Sequence, residues 1–503
     1  MKPHLLQHLL ENSAQKFPQK IAVKHQSKSI TYSDLQKKSQ GLGAGLREKN
    51  INRGDRIGIY LDKSIEQVIA ILGIVYADAV FVIINNILSP TQVRHIINNC
   101  DIKLLLTEEK YLEQLTDLDL PKLFVPELIK TSAQLPENKN TSDDISNIIY
   151  TSGSTGLPKG IVLTHHNLIE GAEIVSEYLK LTAEEKILGL LPFNFDYGLN
   201  QLTTSLLNGS TLVLFQYFMP NSLLKILAEE EITGLAAIPP IWTSVFGGKM
   251  ADTSKVNLPK LRYITNSGGK LPVPIVKKIR ETFPKTELYL MYGLTEAFRS
   301  TYLDPREIDK RPESMGKAIP RVEVEVIDAN GQPCQPKEIG ELIHRGACIA
   351  KGYWNDPQKT AEVYKPNPLL PKENQASETV VYSGDLVYKD EEGFLYFVGR
   401  KDNMIKTAGY RVSPTEVEEL LLKIPEVQDA VVFGVPDDEL GYKIRAVITS
   451  TDKKLAVETI INYCKAEAPQ YLVPKEIFIA DSFPKTASGK IDRTRIIEEY
   501  KIK

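Results

Sequence analysis

Apolar positions along the chain gather into short β-branched runs separated by longer stretches of mixed polarity. Residues 56–61 (RIGIYL), 79–84 (AVFVII), 103–107 (KLLLT), 211–215 (TLVLF) and 287–291 (ELYLM) are bounded by polar or turn-forming residues and predict strands. Residues 64–76, 90–98 and 221–231 read as the helices between them. Alternation of this kind implies parallel sheets joined by crossover helices. The near-continuous apolar run at residues 68–84 approaches the ~18 residues that a membrane span needs. Asp78 interrupts it and Asn85 and Asn86 end it, so a buried helix, a turn near Ala77 and Asp78, and a buried strand fit it better.

The texture changes after about residue 315. Residues 320–327, 340–345, 380–387 and 394–399 are short strands separated by Gly, Asp and Asn turns, the pattern of a small, mostly antiparallel subdomain. Beyond Gly399, residues 413–422 and 456–466 read as helices and residues 429–435 and 443–450 as strands. The expected fold is therefore α/β. A large body of mixed and parallel sheets spans residues 1–399, with the β-rich part from about 315. A junction follows at 400–402, and a compact α+β unit spans 403–503.

Composition narrows the class. The 503 residues are 42% hydrophobic and 25% charged, which excludes a disordered or fibrous chain. Sixty-one Lys and Arg against 64 Asp and Glu give a net charge of −3, so no nucleic-acid partner is expected. Cys100, Cys334, Cys348 and Cys464 form no CxxC pair, and the adjacent His165 and His166 lack metal-ligand spacing. Small buried thiols in a reducing compartment are expected. The N-terminus, MKPHLLQHLLENSAQKFPQK, has neither a sustained apolar core nor a small-residue cleavage site. The expectation is a cytoplasmic protein with no membrane span.

Chemistry concentrates first at residues 150–160, YTSGSTGLPKG, directly after the apolar strand 145–150. Gly153, Gly156 and Gly160 permit backbone geometries that side chains would block. Thr151, Ser152, Ser154 and Thr155 supply hydroxyls, and Lys159 a positive charge, so the loop can wrap phosphate oxygens. It is not a Walker A loop, which needs GxxxxGK followed by Ser or Thr.

This loop resembles the phosphate loop of the AMP-forming, acyl-adenylate superfamily, which includes acyl-CoA synthetases, amino-acid adenylation domains and stand-alone carrier-protein ligases. Further motifs appear in that family's order: YGLTEA at 292–297, YSGDL at 382–386, GRKDNMIKTAGYRVSPTE at 399–416 and PKTASGKIDR at 484–493. The resemblance covers essentially the whole chain. It implies attack of a carboxylate on the α-phosphate of ATP, giving acyl-AMP and pyrophosphate, with Mg²⁺ assisting. A pantetheine thiol of coenzyme A or a carrier protein then takes the acyl group.

Carried over residue by residue, the resemblance implies that Glu296 holds Mg²⁺ and Thr295 contacts phosphate. Tyr292 packs on adenine, and Gly268, Gly269 and Lys270 frame the adenine face. Asp385 and Arg400 hold the ribose. Lys490 bridges the substrate carboxylate and the α-phosphate, offsetting charge that builds in the displacement. Asp402 is the hinge on which a mobile C-terminal unit pivots, after which Gly409, with Lys406 nearby, lines a channel for the thiol. Asp196, Tyr197, Asn200, Ala237, Ile264, Asn266, Met291, Arg299 and Ser300 approach the acid.

That set is polar for an alkyl pocket. Asp196 matches the position where amino-acid-activating members pair the substrate ammonium; a local alternative is that it caps a helix beginning near Tyr197. Arg299 has a fork suited to a second carboxylate or carbonyl. A small polar acid, an amino acid above all, is the expected substrate, with a medium-chain or aryl acid as the alternative. With no carrier domain after Lys503, the acceptor is expected to be coenzyme A or a separate carrier chain. A non-catalytic nucleotide-binding homologue would have lost Lys490, Glu296 or Lys159, and all three are present. No GxGxxG stands at a strand–helix turn, which argues against a nicotinamide dehydrogenase.

Overall fold

The structure is a computed structural model that describes residues 2–130, 137–152, 157–246, 253, 256–407, 410–437, 441–452, 454–486 and 489–501. Two large sheets form the body. The six-stranded sheet runs Lys122–Leu123, Ile102–Thr107, Arg56–Tyr60, Val80–Ile83, Ile145–Ser152 and Pro158–Thr164. It is parallel except for the closing hairpin Ile145–Ser152/Pro158–Thr164. The nine-stranded sheet has a parallel centre, from Glu287–Leu294 through Tyr263–Asn266, Gly234–Ala237, Lys186–Gly189 and Thr211–Leu214 to Ile21–His25. Antiparallel strands close both of its edges.

The apolar run at 68–84 resolves as predicted. Helix Ile65–Tyr76 is buried at every position but Glu66, so it is apolar all round and sits between layers. Asp78 turns the chain at φ 57°, and its carboxylate lies 2.6 Å from Arg47, which compensates a nearly fully buried charge. Strand Val80–Ile83 follows, buried throughout. Among the described residues no helix is long and apolar enough to cross a membrane. The four cysteines are free and buried.

Residues after 315 form the expected antiparallel sheet, Val322–Ile327, Gly340–Gly346, Thr379–Lys389 and Tyr364–Pro366, with Leu395–Arg400 paired to Thr379–Lys389. Beyond it, strands Ile405–Thr407, Tyr410–Val412, Val427–Asp437, Gly441–Ser450 and Glu476–Ala480 form a further sheet. Helices Pro414–Leu421 and Val457–Glu467 pack on it through Val417, Leu421, Ile460 and Cys464, an apolar cluster separate from that of the body. The sequence pattern does not mark, among others, helices Leu6–Lys16, Tyr32–Glu48, His165–Tyr178, Val273–Thr282 and Arg493–Lys501, or strands Lys186–Gly189, Gly234–Ala237, Tyr263–Asn266 and Glu476–Ala480.

Two histidines are buried neutral. His165 Nδ1 accepts from the Leu6 N–H, tying the N-terminal helix to helix His165–Tyr178, and burial pushes its pKa down to about 4. Neither ring nitrogen of His344 has a partner among the described residues, and burial pushes it to about 3. Below pH 6.5 the unfolded chain takes up these protons before the folded one does, so stability falls as pH drops from about 6.5 towards 4. The melting temperature should therefore decline across this range. His344→Phe should flatten the decline measurably, by about one proton's worth of slope. An unchanged slope would show that His344 takes no part in it.

Candidate active site

The chemistry-bearing motifs meet at the C-terminal ends of the parallel strands, where loops of an open α/β sheet form crevices. Strand Tyr263–Asn266 ends in the SGGK turn, and strand Glu287–Leu294 turns back into Ala297–Leu303. YGLTEA is thus the tip of a hairpin at the edge of the parallel region. Between these ends and the C-terminal unit lies a cavity of about 490 Å³.

Lys490 enters this cavity from the C-terminal unit. A tight turn, in which the Gly489 N–H donates to the Thr486 carbonyl and the Thr486 N–H to the Lys490 carbonyl, projects it. Its Nζ lies 5.0 Å from the centre of the Phe195 ring. Burial lowers its pKa, and the Asp196 carboxylate opposes that shift. Gly268 stands at φ +76°, and a Cβ there would meet Lys490 Cε at 3.2 Å. The turn therefore needs glycine for both backbone and space.

Asp385 lines the same cavity. Arg400 Nη1 donates to it at 2.7 Å and to the Ser383 carbonyl at 2.8 Å, and the Tyr292 hydroxyl donates to its other oxygen. Burial raises the Asp385 carboxyl, opposed first by Arg400 and then by the Tyr292 hydrogen bond. The Tyr292 ring stacks beside His344, centroids 6.0 Å apart. Thr151, Thr295 and Glu296 also line the cavity, and Glu296 accepts a hydrogen bond from the Tyr353 hydroxyl. No cluster of three His, Cys, Asp or Glu side chains suited to a metal exists among the described residues. One cavity-lining carboxylate nonetheless fits Mg²⁺, which keeps several waters and takes few carboxylates beside substrate phosphates.

The acid end is built by helix Asp196–Asn208 and its neighbours. The helix begins one residue earlier than expected, its N-cap is Phe195, and no side chain caps it. Asp196 is the first helical residue; its carboxylate accepts from the Tyr197 backbone in the first turn, and the residue also lines the cavity. Burial raises its carboxyl, opposed by Arg299 first and Lys490 second. The Tyr197 hydroxyl pairs with Thr265 Oγ1 at 2.6 Å, and Arg299 lays its guanidinium 3.9 Å over the Tyr197 ring. Asn266 Nδ2 donates to the Gly269 carbonyl, while its Oδ1 has no partner among the described residues.

Several predicted contacts fall elsewhere. Asn200 lies one turn beyond Asp196 and faces a separate small void against Phe298. Ala237 and Ile264 are fully buried on mid-sheet strands. The Ser300 hydroxyl turns back onto the Ala297 carbonyl at 3.1 Å. Lys159 is half-buried on strand Pro158–Thr164, paired with Thr151 one pair from the turn end of the hairpin, and does not line the cavity. Lys270 does, but its ammonium lies 2.6 Å from Glu419 of the C-terminal unit. Gly153, Ser154, Thr155, Gly156 and Gly409 lie outside the described residues, as do the side chains of Ser152, Asp402 and Lys406. Tyr353, Thr265 and Glu419 were not anticipated. Tyr353 lies 57 residues from Glu296, and no local pattern marks it.

Residues 10–354 match the family described as AMP-binding enzyme, and residues 416–490 match the AMP-binding enzyme C-terminal domain. The chain belongs to the AMP-binding enzyme family. Gramicidin S synthase 2 of Brevibacillus brevis is 30% identical over 99% of the chain, which spans 11% of that relative's length. A long-chain-fatty-acid–CoA ligase of Bacillus subtilis is 28% identical over 98% of the chain and 94% of its own length. Among solved structures, o-succinylbenzoate CoA synthetase of Bacillus subtilis, in complex with the acyl-adenylate intermediate OSB-AMP, superposes with a TM-score of 0.86. It is 27% identical, with 97% of each chain covered. The chain's likeness to this structure matches the α/β body and smaller C-terminal unit that the sequence pattern predicts.

Proposed function

We propose that this chain joins a small polar carboxylic acid to a pantetheine thiol in two steps. An oxygen of the acid attacks the α-phosphorus of ATP, the bond from that phosphorus to the bridging oxygen breaks, and pyrophosphate leaves with that oxygen. The thiol then attacks the acyl carbon of the acyl-AMP, loses its proton and displaces AMP. The observation that carries this reading is the meeting of Lys490, Asp196, Asp385 and Glu296 in one cavity. Lys490 offsets negative charge as two anions approach. Asp385, able to accept two hydroxyl protons, receives the ribose diol, with Arg400 beside it. Thr295 and Thr151 face the phosphates. Glu296 would hold Mg²⁺, which supplies further positive charge to the leaving phosphates; o-succinylbenzoate CoA synthetase has been solved with ATP and magnesium ion.

In this reading the C-terminal unit pivots at Asp402 after adenylation, breaking the Lys270–Glu419 pair and presenting the segment with Lys406 and Gly409 to the thiol. The acceptor is coenzyme A or the phosphopantetheine of a separate carrier protein, and the site of action is the cytoplasm. Asp196, a buried carboxylate in the cavity lining, favours a substrate that brings an ammonium to it. Acid-dependent ATP–pyrophosphate exchange, followed by mass spectrometry of the thioester, tests the proposal. Exchange should appear with at least one member of a panel of amino and simple acids. Its absence across the panel would overturn the reading.

A further inference from the structure

The acid end of the cavity holds more positive charge than its own carboxylate answers. Arg299 is 3% exposed and stands in the left-handed region at φ +48°, an uncommon conformation for a side chain of its size. Its Nη1 reaches the Met291 sulfur, at 3.3 Å, a weak acceptor, and the guanidinium also acts on the Tyr197 hydroxyl. Nη2 has no hydrogen-bond partner among the described residues. A guanidinium keeps its charge in a protein interior, so this residue of the cavity lining carries a fixed, planar fork with one buried N–H group unsatisfied. Asp196 acts on Arg299 through space, and the same carboxylate also answers Lys490.

Resting on the reading that this cavity activates an acid, we propose that the acid carries a second carboxylate, received by Arg299, and that acidic amino acids are the class the pocket fits. The charges close on this assignment. Lys490 takes the reacting carboxylate, Arg299 the second, and Asp196 the ammonium. A ligand with two negative groups and one positive group thus meets two cations and one anion. A monocarboxylic amino acid would leave the guanidinium buried and unanswered. The fork suits a carboxylate because two parallel N–H groups match its two oxygens. The stack on Tyr197 holds the fork in place, and the nucleotide shares the same cavity, so short diacids are favoured.

The test uses the full chain in ATP–pyrophosphate exchange. Aspartate and glutamate are compared with asparagine, glutamine and norvaline, and glutarate with butyrate. The acidic members should exceed their uncharged counterparts at least ~100-fold in kcat/KM, the scale on which a site built for a polar group rejects analogues lacking it. Arg299→Gln should bring that ratio towards one, chiefly through KM, and Arg299→Lys should fall between. Should the variants not fold, the comparison on the unaltered chain still decides. Glutamine or norvaline exchanging as well as glutamate would overturn the role of Arg299, and glutarate matching glutamate would overturn the ammonium part. Exchange with no acid at all would instead overturn the adenylation reading beneath it.

Discussion

Replacing Lys490 by alanine is expected to slow acid-dependent ATP–pyrophosphate exchange by ~10²–10³-fold, the scale of losing one preorganised electrostatic partner of a transition state. The ammonium is buried against Phe195 and shares the cavity with Asp196 and the SGGK turn. In a dry site its attraction for a developing negative charge is far stronger than in water. KM for ATP should change little, because the charge that Lys490 answers develops as the acid attacks. Thioester formation from supplied acyl-AMP should survive, since in the proposed second step this lysine has left the cavity. The alkaline limb of the exchange profile should also lie below the ordinary lysine range, because burial lowers the Lys490 pKa. Exchange at the original rate in the alanine variant would refute the proposed chemistry.

Asp385→Ala should lower kcat/KM for ATP by ~10²-fold, the loss of two hydrogen bonds to a charged acceptor at roughly 1.5–3 kcal/mol each, discounted for water entering in their place. The carboxylate is held ready by Arg400 and Tyr292, so it reaches a diol without reorganising its own neighbours. Gly384, at φ +70°, lets the chain pass the Arg400 guanidinium, where a Cβ would stand 3.1 Å from Nη2. The decisive comparison is between ATP and 2′-deoxy-ATP. The unaltered chain should prefer ATP at least ~10-fold, and the variant should lose most of that preference. Equal discrimination in both proteins would remove Asp385 from the ribose.

The reach of the sequence differs from one part of the site to another. Apolar rhythm located several strands and helices in each part of the chain, because burial imposes a period that side-chain type reports directly. Strand 287–291 was legible, but its continuation to Leu294 and the return through Ala297–Leu303 were not, since the hairpin closes over a motif of polar and small residues. The motifs around Lys490, Asp385, Glu296 and Asp196 stood out by their resemblance to the family's, and all four line one cavity. Ile264 and Ser300 did not reach it. Whether a residue on a buried strand faces a cavity or a packed neighbour depends on the sheet against it, which local sequence does not contain.

The sequence alone determined the α/β class and the presence of nucleotide-handling motifs, because element periodicity and glycine- and hydroxyl-rich loops are local properties of the chain. Only the tertiary structure decided which charges answer one another. Lys490 meets Asp196 from 294 positions away, Tyr353 reaches Glu296, and Lys270 is taken by Glu419 rather than left for the nucleotide. The unanswered Nη2 of Arg299 became visible only there too. Electrostatic pairing depends on distance and burial in three dimensions, and the order of residues along the chain carries neither.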